Sequence, residues 1–106
     1  YPDRGENPAE PLDLLTSPPL TFAAPDRAAF PCFALAEAAA REGGTACAVL
    51  NGANEEAVGL FLKDRIGFND ISRLVEKARR AVPVVYHPAL ADILEADAAA
   101  RRAVLA

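Results

Sequence analysis

A chain of 106 residues, 52% hydrophobic and 25% charged, has the balance of one soluble globular domain or of one domain with an arm. At that length folding buries roughly two-thirds of the surface the unfolded chain exposes, enough for a core without disulfides or metal. A net charge of −4 argues against nucleic acid as the main partner, which needs a basic stripe. No apolar run approaches the roughly 20 residues of a membrane span.

The N-terminus, Tyr1-Pro2-Asp3-Arg4, has neither the basic start nor the apolar stretch of an export signal. Cys32 and Cys47 are too few for a disulfide scaffold, and both fall in alanine-rich helical patterns where a free thiol packs as a small hydrophobe. A reduced, cytoplasmic protein is the simplest expectation. The sequence contains no methionine, from which we expect an excised piece of a larger chain.

Seven of the nine prolines lie between Pro2 and Pro31. Proline lacks a backbone N–H and disfavours helix at the residue before it. Residues 1–30 are therefore expected to form an extended arm, with Leu12, Leu14 and Leu15 as apolar anchors on another surface. Leu20-Thr21-Phe22 has the pattern of a short strand ahead of a Pro25-Asp26 turn, but no partner strand exists in this chain. An unpaired edge needs a cover, and a missing part of the protein would supply it.

Residues 31–106 take a helical period. Pro31 suits a first helical turn, and Cys32, Leu35, Ala36 and Ala39 follow on one face until Gly43-Gly44 supplies a left-handed stop. Thr45 is expected to cap a second helix. Its apolar face is Ala46, Leu50, Ala53, Ala57, Leu60 and Phe61, its small residues permit close helix approach, and it is expected to end near Ile66-Gly67. Asn69 is expected to cap a third helix with Asp70 in its first turn. The stripe Ile71, Leu74, Val75, Ala78 and Val82 then runs to Pro83.

Pro88 opens the last segment. Continuing its stripe Leu90, Ile93, Leu94 along one straight helix places Asp97 and Arg101 on the buried face, which is costly if they are unpaired. A break at Ala96-Asp97, with Asp97 capping a new short helix bearing Val104 and Leu105, is expected instead. The predicted fold is all-α, a small antiparallel helical bundle preceded by an extended proline-rich arm.

Chemistry is sparse. There is no Gly-x-Gly-x-x-Gly and no phosphate loop. His87 is the only histidine, and a metal site or triad would need further partners that its loop does not offer. Glu55 and Glu56 point about 100° apart on a helix, so they do not converge. Asp92, Glu95 and Asp97 make an acidic edge without a calcium loop. The pairs Arg79-Arg80 and Arg101-Arg102 sit where cations oppose the negative end of a helix dipole. The least ordinary segment is Leu50-Asn51-Gly52-Ala53-Asn54-Glu55, with two carboxamides on one helix edge. Asn is a mediocre helix former, so Asn51 and Asn54 either bind a ligand or satisfy backbone groups of the arm or a neighbouring helix end. The second use is favoured, because no charge or glycine loop converges there. No catalytic, cofactor-binding or metal residue is assigned.

Several stretches together resemble one family. Leu20-Thr21-Phe22-Ala23-Ala24-Pro25-Asp26 and Phe30-Pro31-Cys32 look like the entry to the C-terminal helical domain of the 1-deoxy-D-xylulose 5-phosphate reductoisomerase family. Leu50 to Glu55 is similar to that family's Leu-Asn-Ala-Ala-Asn-Glu run, Ala57-Val58 through Phe61-Leu62 and Arg65 to Ile71 continue it in order, and Tyr1-Pro2-Asp3-Arg4 resembles its Tyr-Pro-Glu-Arg. Gly52 departs from the usual alanine, costing up to about 1 kcal/mol of helix propensity, and is expected to loosen the second helix locally. The Val82–His87 connection looks shorter than in some relatives.

The resemblance implies a parent enzyme that rearranges and reduces 1-deoxy-D-xylulose 5-phosphate to 2-C-methyl-D-erythritol 4-phosphate in non-mevalonate isoprenoid synthesis. It implies NADPH, a divalent metal (Mg or Mn) and a homodimeric parent. The glycine motif, metal carboxylates, phosphate-binding residues and mobile loop of that family match no position here, so the piece alone is expected to be an inactive structural domain partnered by the catalytic domain of the same chain. The rival expectation is a stand-alone helical interaction module, and an independent small enzyme ranks third.

Overall fold

The computed structural model describes residues 2, 3 and 5–106. Tyr1 and Arg4, two of the four residues behind the Tyr-Pro-Asp-Arg resemblance, lie outside the described residues. Four helices follow in order: α1 (Pro31–Glu42), α2 (Ala46–Leu62), α3 (Asp70–Ala81) and α4 (Leu90–Leu105). There is no strand among the described residues, so the architecture is all-α as expected. The Leu20–Phe22 stretch is irregular and exposed rather than a strand. Among the described residues there is no strand for it to pair with, and strand hydrogen bonds need a second strand.

Local chemistry sets the helix ends. Pro31 starts α1, and Gly43 and Gly44 end it at φ 75° and 54°. Gly44 is also short of space, since a Cβ there would lie 2.5 Å from the Val85 carbonyl oxygen. Thr45 does not cap α2. Its hydroxyl accepts from the Val85 N–H at 3.0 Å, and its own N–H donates to the Val85 oxygen at 3.1 Å. The α1–α2 turn is thereby clipped to the α3–α4 connection, and the long-range partner outcompetes the local cap.

α2 stops at Leu62, before the expected Ile66-Gly67. Asp64 turns left-handed at φ 54°, and the N–H of Arg65 returns to the Leu60 oxygen at 3.0 Å, the helix-closing pattern usually given to Gly or Asn. Asn69 makes no side-chain cap on α3. Asp70 does the local work instead, accepting from the Gly67 N–H at 2.9 Å. At the start of α4, Asp92 reaches back to the Ala89 N–H at 2.8 Å, half of a capping box.

α2 and α3 form the centre of the bundle. Both contact α1 and α4, while α1 and α4 do not touch each other. The core is made of small side chains: Ala39, Ala46, Ala53, Ala57, Ala78 and Ala100 are fully buried, and Val49, Val75 and Thr45 are the largest fully buried residues. Such residues let helices approach closely, but each removes little apolar area from water. The buried face of α2 is turned toward Val49 and Gly52, leaving Leu50, Leu60 and Phe61 packed at its margin. The α3 stripe is as expected, with Ile71, Val75 and Ala78 buried and Leu74 and Val82 packed on the core.

α4 runs unbroken through Ala96 and Asp97, contrary to the expected break. Its buried face is Ala96, Ala100 and Val104, whereas Leu90 and Leu94 are 71% and 61% exposed. The premise of unpaired charges fails because Asp97 and Arg101 pair with each other. Residues 2, 3 and 5–30 remain outside the bundle, nearly all exposed. They account for a Cα radius of gyration of 18.8 Å against about 13 Å for a compact chain of this length.

Candidate functional site

The α2–α4 contact carries the densest polar arrangement. Gly52 is buried against Asp97; a Cβ on it would lie 2.6 Å from Asp97 Oδ1 and 2.9 Å from the Asp97 carbonyl oxygen. Gly52 therefore serves close approach between α2 and α4. Arg101, one turn beyond Asp97, grips it through Nε–Oδ2 at 2.8 Å and Nη2–Oδ1 at 3.1 Å. The same guanidinium crosses to Glu55 Oε2 at 2.6 Å, and Asn51 Nδ2 donates to Glu55 Oε1 at 3.0 Å. The Arg101 hydrogen bond, then that of Asn51, holds the Glu55 carboxyl below the ordinary glutamate range, and the two carboxylates push the guanidinium upward. The arrangement is a clasp between helices in which one guanidinium is shared by two carboxylates.

Other singled-out residues are dispersed. Asn51 bonds within α2 rather than to the arm or a helix end, and Asn54 lies half-buried between two surface clefts. Glu55 and Glu56 do not act together, since only Glu55 joins the clasp. Asp92, Glu95 and Asp97 serve a helix start, an ion pair with Arg102 at 2.5 Å and the clasp, respectively. Arg79 and Arg80 lie in the last turn of α3, and Arg79 also pairs with Glu42 at the end of α1 at 2.5 Å. His87 is exposed at φ 57° between Tyr86 and Pro88. Both cysteines are free; burial pushes the Cys32 thiol up, whereas Cys47 is exposed, contrary to the expected packing.

No group of three or more His, Cys, Asp or Glu side chains among the described residues is placed to hold a metal. Among the described residues the donor set therefore does not fit a divalent ion. No described helix is long and apolar enough to cross a membrane.

The outside is where this chain is unusual. Leu12, Leu14, Leu15, Leu20 and Phe22 are all at least three-quarters exposed, with Leu15 at 96% and Phe22 at 91%. Phe30 and Phe68 are also exposed where the arm meets the bundle. Asp26 shapes that junction by accepting from the N–H groups of Ala28 and Ala29 at 2.9 and 3.0 Å. Arg27 fixes it by pairing with Glu37 and lying 5.4 Å over the Phe33 ring. The sequence gives the signal for the clasp as i, i+4 pairs at 51/55 and 97/101; the contact between the two helices is tertiary.

A core mostly of alanine and valine, with several leucine and phenylalanine side chains left exposed, defines a small all-α domain. The family model for the DXP reductoisomerase C-terminal domain matches residues 1–103, and the chain belongs to that family. It is 54% identical over 102 residues to the 1-deoxy-D-xylulose 5-phosphate reductoisomerase of Synechococcus sp. (strain JA-2-3B'a(2-13)), covering 96% of this chain and 26% of that protein. It is 49% identical over 104 residues to the reductoisomerase of Acetivibrio thermocellus, covering 98% and 27%. Among solved structures it is similar to the reductoisomerase of Zymomonas mobilis in complex with NADPH, with a TM-score of 0.81 and 40% identity over 99% of this chain and 28% of that one. The chain thus spans about a quarter of the length of the relatives it matches.

Proposed function

We propose that this chain is the C-terminal structural domain of a 1-deoxy-D-xylulose 5-phosphate reductoisomerase. The parent enzyme rearranges and reduces its substrate to 2-C-methyl-D-erythritol 4-phosphate with NADPH and a divalent metal (Mg or Mn), in non-mevalonate isoprenoid synthesis. It works as a cytoplasmic homodimer, with no nucleic acid or membrane among its partners. Residues 1–30 are the arm and 31–106 the helical domain. No residue of this chain is catalytic or binds the cofactor or metal; its role is to pack against the catalytic domain and support the active-site wall.

One observation carries this reading: several large apolar side chains, Leu12, Leu15, Leu20 and Phe22 among them, are exposed while the buried core is mostly alanine and valine. Burying an exposed Leu or Phe is worth roughly 1.5–3 kcal/mol each, and a chain that leaves several outside has its cover elsewhere. Family membership supports the same partner. The coding sequence upstream supplies the test. A Rossmann-type glycine motif several hundred residues earlier in the same reading frame is expected, and an immediate start codon would instead make the chain a stand-alone interaction module.

A further inference from the structure

Asn51-Gly52 is the single Asn-Gly pair in a sequence of four asparagines and no glutamine. Glycine, having no Cβ, shields its own backbone nitrogen least. That nitrogen attacks the side-chain carbon of a preceding asparagine wherever the backbone is free to bring the two together. Asn-Gly pairs are favoured in tight turns, but this one lies inside α2. There the Gly52 N–H belongs to the i→i−4 ladder, which points it back along the helix and away from the Asn51 side chain. Asn51 Nδ2 donates to Glu55 Oε1 at 3.0 Å, so the carboxamide is aimed toward the next turn. Glu55 is held in its turn by Arg101 at 2.6 Å, and Arg101 by Asp97 at 2.8 Å. Gly52 itself is buried, and a Cβ on it would lie 2.9 Å from the Asp97 carbonyl oxygen. Unwinding α2 at this point therefore requires α4 to move.

We propose that Asn51 is a self-modification site gated by the α2–α4 clasp. When the contact opens, the Gly52 nitrogen bonds to Asn51 Cγ. The Cγ–Nδ2 bond breaks, the amide nitrogen takes up the proton lost from Gly52, and ammonia leaves. The cyclic imide adds water at either of its carbonyls and opens to aspartate or isoaspartate. Water is the only co-reactant, and nothing is oxidised or reduced. Both products oppose reclosure. Each replaces the donor to Glu55 with a carboxylate, and like charges one helical turn apart repel. Isoaspartate also adds a methylene to the backbone directly before Gly52, where there is no room even for a Cβ. A single opening is thereby made permanent.

Peptide mapping by mass spectrometry tests it, after warm incubation of the chain in mildly alkaline buffer, folded or unfolded in urea. In urea Asn51 is expected to lose its amide at least about tenfold faster than in the folded chain. It is also expected to react faster there than Asn54 or Asn69, and Gly52→Ala slows it. In buffer, Arg101→Gln is expected to speed the loss several-fold. Thr45→Val, which loosens the α1–α2 turn instead, speeds it less. Circular dichroism checks that both variants remain helical, and Glu55→Gln weakens the same link should Arg101→Gln fail to fold. Equal rates in buffer and urea remove the gate. Equal speeding by Arg101→Gln and Thr45→Val assigns it to unfolding of the whole chain, and an Asn51 that keeps its amide in urea removes the site. Each of these results overturns the proposal. Asn51→Asp, one of the two products, is expected to lower the urea midpoint, and an unchanged midpoint overturns the permanent opening.

Discussion

Gly52 and Asp97 meet across the α2–α4 contact with no room between them, and the cost of filling that space can be set against a known gain. Alanine has up to about 1 kcal/mol more helix propensity than glycine, while overpacking a tight contact costs roughly 1–3 kcal/mol. The Asp97 carboxylate can swing away from a new Cβ, but its backbone oxygen at 2.9 Å moves only with the helix. Gly52→Ala is therefore expected to destabilise the chain by about 1–2 kcal/mol, read as a lower urea midpoint. A raised midpoint would show that α4 yields. Thr45 offers a second test at this scale. It is fully buried, and its hydroxyl is the acceptor for Val85 N–H. Thr45→Val keeps the shape and strands that N–H, so a loss of about 1–2 kcal/mol is expected.

Among the elements, α4 shows best what sequence periodicity can and cannot decide. The pattern Leu90, Ile93, Leu94 has helical spacing, but spacing does not say which face meets the bundle. Ala96, Ala100 and Val104 do so, because small residues permit the close approach that Gly52 also serves. Charge pairing across helices was equally hidden: Asp97 and Arg101 look like buried liabilities until Glu55 of α2 completes them. Thr45 fails as a cap because its hydroxyl accepts from the distant Val85 N–H, and Asn69 makes no side-chain cap, while its neighbour Asp70 accepts from the Gly67 N–H. The signals that held were strong and local, namely Pro31, Gly43-Gly44 and the α3 stripe.

The clasp also sets an acid response. Glu55 is held below its ordinary range by Arg101 and Asn51, and Asp70 by the Gly67 N–H and then Arg73. For groups whose folded values lie below the unfolded ones, the stability they contribute is present above the ordinary carboxylate range of about 4 and lost as pH falls through the folded values. The urea midpoint is expected to fall on acidification below about pH 4, and Glu55→Gln should make that fall shallower. Equal slopes for the two proteins would remove Glu55 from the account.

For the molecule as a whole, the all-α class and the family resemblance were legible because each rests on periodicity or on ordered motifs. The candidate site was legible only in part. Asn51 and Asn54 stood out as poor helix formers, yet their separate uses depend on Glu55 and on surface clefts that only packing creates. The central claim is that this folded body supports a reaction it does not perform. Incubating the purified 106-residue chain with NADPH, 1-deoxy-D-xylulose 5-phosphate and Mg or Mn, while following absorbance of the reduced nucleotide, tests it most directly. The helical chain is expected to leave NADPH unoxidised above the rate without protein, and steady turnover proportional to its concentration would contradict the account.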